Sequence, residues 1–238
     1  MSKYRIMAAV LRFSAQARKL VVRCGAACVS LEKRGDVMRI LRAVMVWMGV
    51  AAMATTAGAQ GQTHKGYEAP PYVVERVAGD VEIRRYAPHI VAEVTVEGDR
   101  DSAISGGFRV LAGYIFGGNE SDAKVAMTVP VAQTPAAGGG GGQSWVVRFM
   151  MPAAYTLDTL PKPTDARIRL VRQPAQRQAA VQFSGLRTSA VLDRQTETLR
   201  AAVAQAGLSV VSGPHYYFYD GPMTLPWNRR NEVAFTVE

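Results

Sequence analysis

The chain has 238 residues, 48% hydrophobic and 20% charged, with a mean hydropathy of zero, which excludes a disordered, collagen-like or polytopic membrane protein. The formal charge of +9 points to a polyanion when taken whole, but the residues up to Ala59 carry +8 of it and the remainder only +1. Nucleic acid is thereby excluded as a partner of the working domain. Both cysteines, Cys24 and Cys28, also precede Ala59, so the chain beyond it has no disulfide, thiolate nucleophile or Cys-ligated metal.

In chain order, residues 1–37 are basic and stand in front of a complete export signal, so they read as an over-extended N-terminus; an organelle transit peptide is the competing reading. Residues 38–59 have a charged start at Arg39 and Arg42, an apolar run from Ala43 to Ala54 and an Ala57-Gly58-Ala59 cleavage site. The run is shorter than the ~20 residues a spanning helix needs, so the expected product is exported, periplasmic or secreted, with no stable membrane insertion. Residues 60–66 read as a polar linker and residues 67–238 as the folded domain.

Alternating apolar and polar residues predict strands at Tyr72–Glu75, Val81–Tyr86 and Ile90–Glu97. From Ala103 to Ile115 the period changes: Ile104, Phe108, Leu111 and Ile115 form one helical stripe, which Asp99, Asp101 or Ser102 can cap and Gly117-Gly118-Asn119 ends. Strands at Lys124–Ala132 and Ser144–Met150 flank a flexible hairpin loop at 134–142. Its five glycines are not a phosphate loop, because Gln143 stands where that motif requires lysine. Leu160-Pro-Lys-Pro163 turns into strands at Ala166–Arg172 and Arg177–Phe183. A second helix runs from Ser189 to Ala206, with Leu192, Leu199, Val203 and Ala206 on one face, and strands at His215–Tyr219 and Asn231–Val237 close the chain.

This order is a duplication. At an offset of 87, Ala92, Val94, Gly98, Arg100, Ser102 and Ala103 recur as Ala179, Val181, Gly185, Arg187, Ser189 and Ala190. Two β-α-β-β units predict an α+β fold, a distorted β-barrel flanked by two amphipathic helices, with a pocket between the halves.

No H-E-x-x-H, G-x-S-x-G or G-x-G-x-x-G pattern occurs beyond Ala59, and the histidines are scattered: His64 in the polar linker, His89 at a strand entrance, His215 in an aromatic strand. Glu82, Tyr86 and Glu232 have no catalytic spacing, so the domain reads as a non-enzymatic binding protein. Its aromatic and methionine residues, Phe108, Met127, Phe149, Met223 and Trp227 among them, suit a flat apolar ligand, and Arg229 and Arg230 suit that ligand's carboxylates.

Motifs from residue 67 to 233 resemble the SOUL haem-binding protein family: Tyr67-Glu68, Glu82-Ile-Arg-Arg-Tyr86, Gly107-Phe-Arg-Val-Leu111, Met127-Thr-Val-Pro-Val131, Phe149-Met-Met-Pro152, Tyr219-Asp-Gly-Pro222 and Arg229-Arg-Asn-Glu-Val233. The resemblance implies that haem or a free porphyrin binds in a shallow hydrophobic groove beside the first helix. On this chain the groove would use Phe108, Ser105 and Ala112, with the Met223 loop opposite. Propionate anchoring would fall to Arg109 or Arg229, and His89 is the candidate axial ligand. No metal is expected to bind the protein directly. The alternative is a small-molecule effector-binding or interaction module on the same scaffold that does not bind haem, which the small residues Gly106, Gly107 and Gly113 favour. Intact-mass measurement of the exported protein is expected to find Gln60 as its first residue.

Overall fold

The computed structural model describes residues 62–136 and 143–238; the basic segment 1–37, the stretch 38–59 read above as an export signal, both cysteines and the five-glycine stretch lie outside the described residues. Within the described residues, eleven strands and two α-helices run in order: β1 Gln62–His64, β2 Tyr67–Ala69, β3 Tyr72–Ala78, β4 Val81–Tyr86, β5 His89–Glu97, α1 Arg100–Ile115, β6 Val131–Pro135, β7 Ser144–Met150, β8 Arg169–Gln173, β9 Gln176–Phe183, α2 Ser189–Gln205, β10 Val210–Phe218 and β11 Asn231–Val237. Residues 62–64 are not linker: β1 pairs with β2, placing His64 opposite Tyr67. The strand expected at Lys124–Ala132 begins only at Val131. Before it, the buried Asn119 side chain bonds the backbone of Tyr114 and Ala123, and residues 124–130 reach a strand only through an isolated bridge of Thr128 with Glu68.

The nine main strands form one antiparallel sheet in the order β3-β4-β9-β11-β10-β6-β7-β5-β8. Exchanging the two halves, β4 with β8, β5 with β9, β6 with β10 and β7 with β11, leaves the order from β4 to β8 unchanged, as a duplication requires. The halves meet at β6 and β10, where Ala132 pairs with Tyr217. Each half also lends its leading strand to the other: β4 pairs with β9, and β8 with β5.

That exchange decides the shape. Only Ala87 and Pro88 separate β4 from β5, yet these strands stand six positions apart in the sheet. Six strand spacings would put them roughly 29 Å apart in a flat sheet, whereas the three residue steps from Tyr86 to His89 reach at most about 11 Å. Pro174 and Ala175 impose the same limit between β8 and β9. The sheet is therefore curled, but it does not close into the distorted barrel expected from the sequence: β3 and β8 remain its two edges. Closure needs a continuous hydrogen-bond ladder, and the charged edge residues Arg76, Arg169 and Arg172 suit strands left unpaired.

Both helices pack on one face, α1 against β5 and β7, α2 against β9 and β11. The core lies between, formed by Ile83, Ala92, Val94, Leu111, Val147, Phe149, Leu192, Leu199, Val233 and Phe235. In α2, Thr196 completes the buried stripe, its hydroxyl donating to the Leu192 carbonyl at 2.7 Å. In α1, Gly107 makes the closest approach to the sheet: a Cβ there would come within 2.6 Å of Val147. Gly107→Ala is therefore expected to overpack this contact and cost about 1–3 kcal/mol, read as a lower urea midpoint with an unchanged slope.

Candidate functional site

The outer side of α1 forms a groove with the 127–131 segment and the turn at 218–222. Its volume is about 580 Å³. Asp99 starts the helix by accepting from the amides of Asp101 and Ser102, both at 3.0 Å. This phase buries Ile104, Leu111 and Ile115 but turns Phe108 outwards, leaving it 41% exposed with its ring edge-on to Phe149 at 5.3 Å. Phe108 thus leaves the core stripe predicted for it and lines the groove with Ser105, Arg109 and Ala112. Met127, Val129, Val131 and Phe218 continue the apolar lining.

Other candidate residues sit elsewhere. Met223 is 93% exposed and outside the lining. Arg229 is also outside: it donates to the carbonyls of Thr224 and Pro222, both at 2.7 Å, and so holds the loop's shape. His89 faces away from the groove, because the alternation of β5 that buries Ile90, Ala92 and Val94 under α1 puts it on the opposite side of the sheet. Its Nδ1 donates to the Ala87 carbonyl at 3.0 Å, and burial lowers the imidazole pKa against that hydrogen bond.

The residue that sequence reasoning missed is Arg187, which lines the groove with its guanidinium 4.8 Å above the Phe218 ring. Burial and then repulsion from Arg229 lower its pKa, so a nearby anion would relieve the site. One signal was available: Arg187 is the repeat partner of Arg100, and the two meet where Arg100 donates to the Arg187 carbonyl at 3.3 Å. Asp220, also in the lining, offers no free negative charge. Lys65 donates to it at 2.5 Å and the Arg230 amide at 2.7 Å, and with His64 they outweigh burial and hold its carboxyl below the usual range. The groove therefore joins an apolar floor to an excess of positive charge from Arg109 and Arg187. Among the described residues no cluster of His, Cys, Asp or Glu could hold a metal ion.

The turn that walls the groove is anchored from below. Glu232, fully buried, accepts from Arg84 at 2.7 and 3.1 Å, from Arg230 at 2.6 and 3.0 Å, and from the Tyr219 hydroxyl at 3.2 Å. Burial alone would raise the Glu232 pKa; the two guanidinium groups outweigh it and lower it. Arg84 is raised correspondingly, since its bond to Glu232 and the carboxylate's charge overcome the cost of burial.

The SOUL heme-binding protein family model matches residues 67–236. Human Heme-binding protein 2 is 30% identical over 185 residues, covering 76% of this chain and 88% of its own, and the mouse protein of that name is 28% identical over 184 residues, covering 74% and 88%. A solved structure, the EcmrR C-terminal domain, shares the fold with a TM-score of 0.54 at 14% identity, covering 66% of this chain and 96% of that one.

Glu232→Gln strips Arg84 of its buried counter-charge and is expected to cost about 3–5 kcal/mol at neutral pH. The carboxylate's contribution is complete above its unfolded pKa near 4.5 and is lost as pH falls through the lower native value. Urea midpoints of the protein and the variant should therefore converge as the solution is acidified.

Proposed function

Starting from a chain that belongs to the SOUL haem-binding family, we propose that it is an exported, non-enzymatic carrier of haem or a free porphyrin, held in the groove beside α1. One observation carries this reading: an apolar floor rimmed by Arg109 and Arg187, with Asp220 already occupied by other partners. A porphyrin has the same division, a flat apolar macrocycle with two carboxylates on one edge. Ser105 and Ala112 leave room along the helix, the exposed Phe108 offers an aromatic surface, and the arginines meet the propionates.

The magnitudes are sufficient. Burying about 400 Å² of macrocycle at ~25 cal/mol per Å² gives about 10 kcal/mol, against an association cost of at least about 4 kcal/mol. That leaves an affinity of tens of micromolar before the propionates are counted. Each charge-assisted bond to a guanidinium adds about 1.5–3 kcal/mol. Axial coordination is not required, and His89, on the other face of the sheet, does not take part.

Haemin titration is expected to give a saturable Soret shift, retained in His89→Ala and lost in Ala112→Trp, which fills the groove. Arg187→Ala should weaken haemin at least tenfold but leave the haemin dimethyl ester, which has no free propionate, nearly unchanged. Absence of a Soret shift at tens of micromolar haemin would overturn the proposal and leave a scaffold that has lost this ligand.

A further inference from the structure

The sheet face turned away from the helices encloses a second cavity of about 420 Å³. It lies inside the curl, reached by Tyr86 from β4 and Gln173 from β8, and Tyr219 is the one lining residue it shares with the groove. Its volume falls within the ~300–1,000 Å³ typical of small-molecule sites.

The charges around this cavity are already paired. Arg148 donates to Glu93 at 2.8 Å, and Arg84 and Arg230, beside Tyr86 and Tyr219, share Glu232. His215 sits in a chain of hydrogen bonds that sets its tautomer. Arg148 donates to Thr134 Oγ1 at 3.4 Å, so the Thr134 hydroxyl is left to donate to His215 Nδ1 at 3.0 Å. Nε2 then donates to Thr236 at 3.1 Å, and the Thr236 hydroxyl donates to Gln176 Oε1 at 3.4 Å. Burial, followed by the charge of Arg148, pushes the His215 pKa down to about 4, which keeps the ring neutral.

What remains is neutral and directional. Gln176 and Gln178 each have the side-chain oxygen occupied, by Thr236 and Tyr217, which leaves their amide N–H groups as donors. His89 donates through Nδ1, so its Nε2 is an acceptor. Gln173 has no side-chain partner among the described residues. Tyr217 supplies a flat wall, stacked on His215 at 16° with centroids 6.3 Å apart.

We propose that this cavity binds an uncharged, flat heterocycle with adjacent C=O and N–H groups, a lactam or imide edge, independently of the tetrapyrrole groove. The ring carbonyls accept from Gln176 and Gln178, the ring N–H donates to His89, and the ring face lies along Tyr217. A charged ligand would find no unpaired counter-charge here and would have to be desolvated without compensation.

Lumichrome, an uncharged three-ring compound with an imide edge, is a suitable probe, followed by its own fluorescence on the full-length protein. Saturable micromolar binding is expected, at least tenfold weaker for the 1,3-dimethyl derivative, which lacks the imide N–H groups. Ala132→Phe, which fills the cavity, should abolish binding, and Gln176→Leu should weaken it about tenfold, with the Gln176 variant deciding if Ala132→Phe does not fold. Neither should alter the haemin Soret titration, and Ala112→Trp should leave lumichrome binding intact. No saturable binding, equal affinity for the dimethyl derivative, or loss of lumichrome binding in Ala112→Trp would each overturn the proposal. A failed haemin titration alone would not.

Discussion

Two links of two residues each, Ala87-Pro88 and Pro174-Ala175, impose the constraint on which the rest of the molecule depends. They join strands six positions apart in the sheet, so the sheet has to curl until those strands come within reach. The curl has two sides with different chemistry. Its outer side carries the apolar residues of the strands and is covered by α1 and α2, while its inner side gathers polar residues around a cavity. Because the same link occurs once in each half, the two sides are built twice and meet at the β6–β10 ladder.

The groove is a secondary consequence of that packing. Once Gly107 lets α1 close onto Val147, the helix face half a turn away is left with Phe108, Arg109 and Ala112 above the sheet. The opposite wall is a turn, and a turn has no ladder to hold it. Here it is clamped by Asp220 to the β1 hairpin and by Arg230 to the buried Glu232, with Arg229 bracing the loop beyond. Tyr219 stands between groove and cavity and bonds Glu232, so the ion cluster supports both sites through one side chain. Removing half of such a cluster is costly because the remaining charge stays buried.

Much of the fold was legible in the sequence because amphipathic period reports burial directly. β4, β7 and β11 span the residues predicted for them, and both helices lie where the period changes to 3.6. The failures have local causes. Residues 62–64 read as polar linker because a three-residue hairpin strand has too few positions to show a period, and the segment before Val131 is apolar but pairs only through an isolated bridge of Thr128 with Glu68. Phe108 matched the helical stripe by spacing, but spacing does not say that the glycine beside it would take the closest contact.

The site was legible in part. Ser105, Phe108, Arg109 and Ala112 share a helix face, which periodicity and the family resemblance place together. Arg187 is distant from them in sequence, and its signal was only its place in the repeat. By itself the sequence determined the family, the α+β duplication, the near-neutral composition beyond a basic N-terminal segment and the helix that bears the groove, because each depends on local pattern or composition. Tertiary structure decided whether the sheet closes, which arginine faces the groove, how Glu232 is neutralised and that His89 belongs to the other face. Those depend on contacts between residues far apart in the chain, brought together by a curl that two short links enforce.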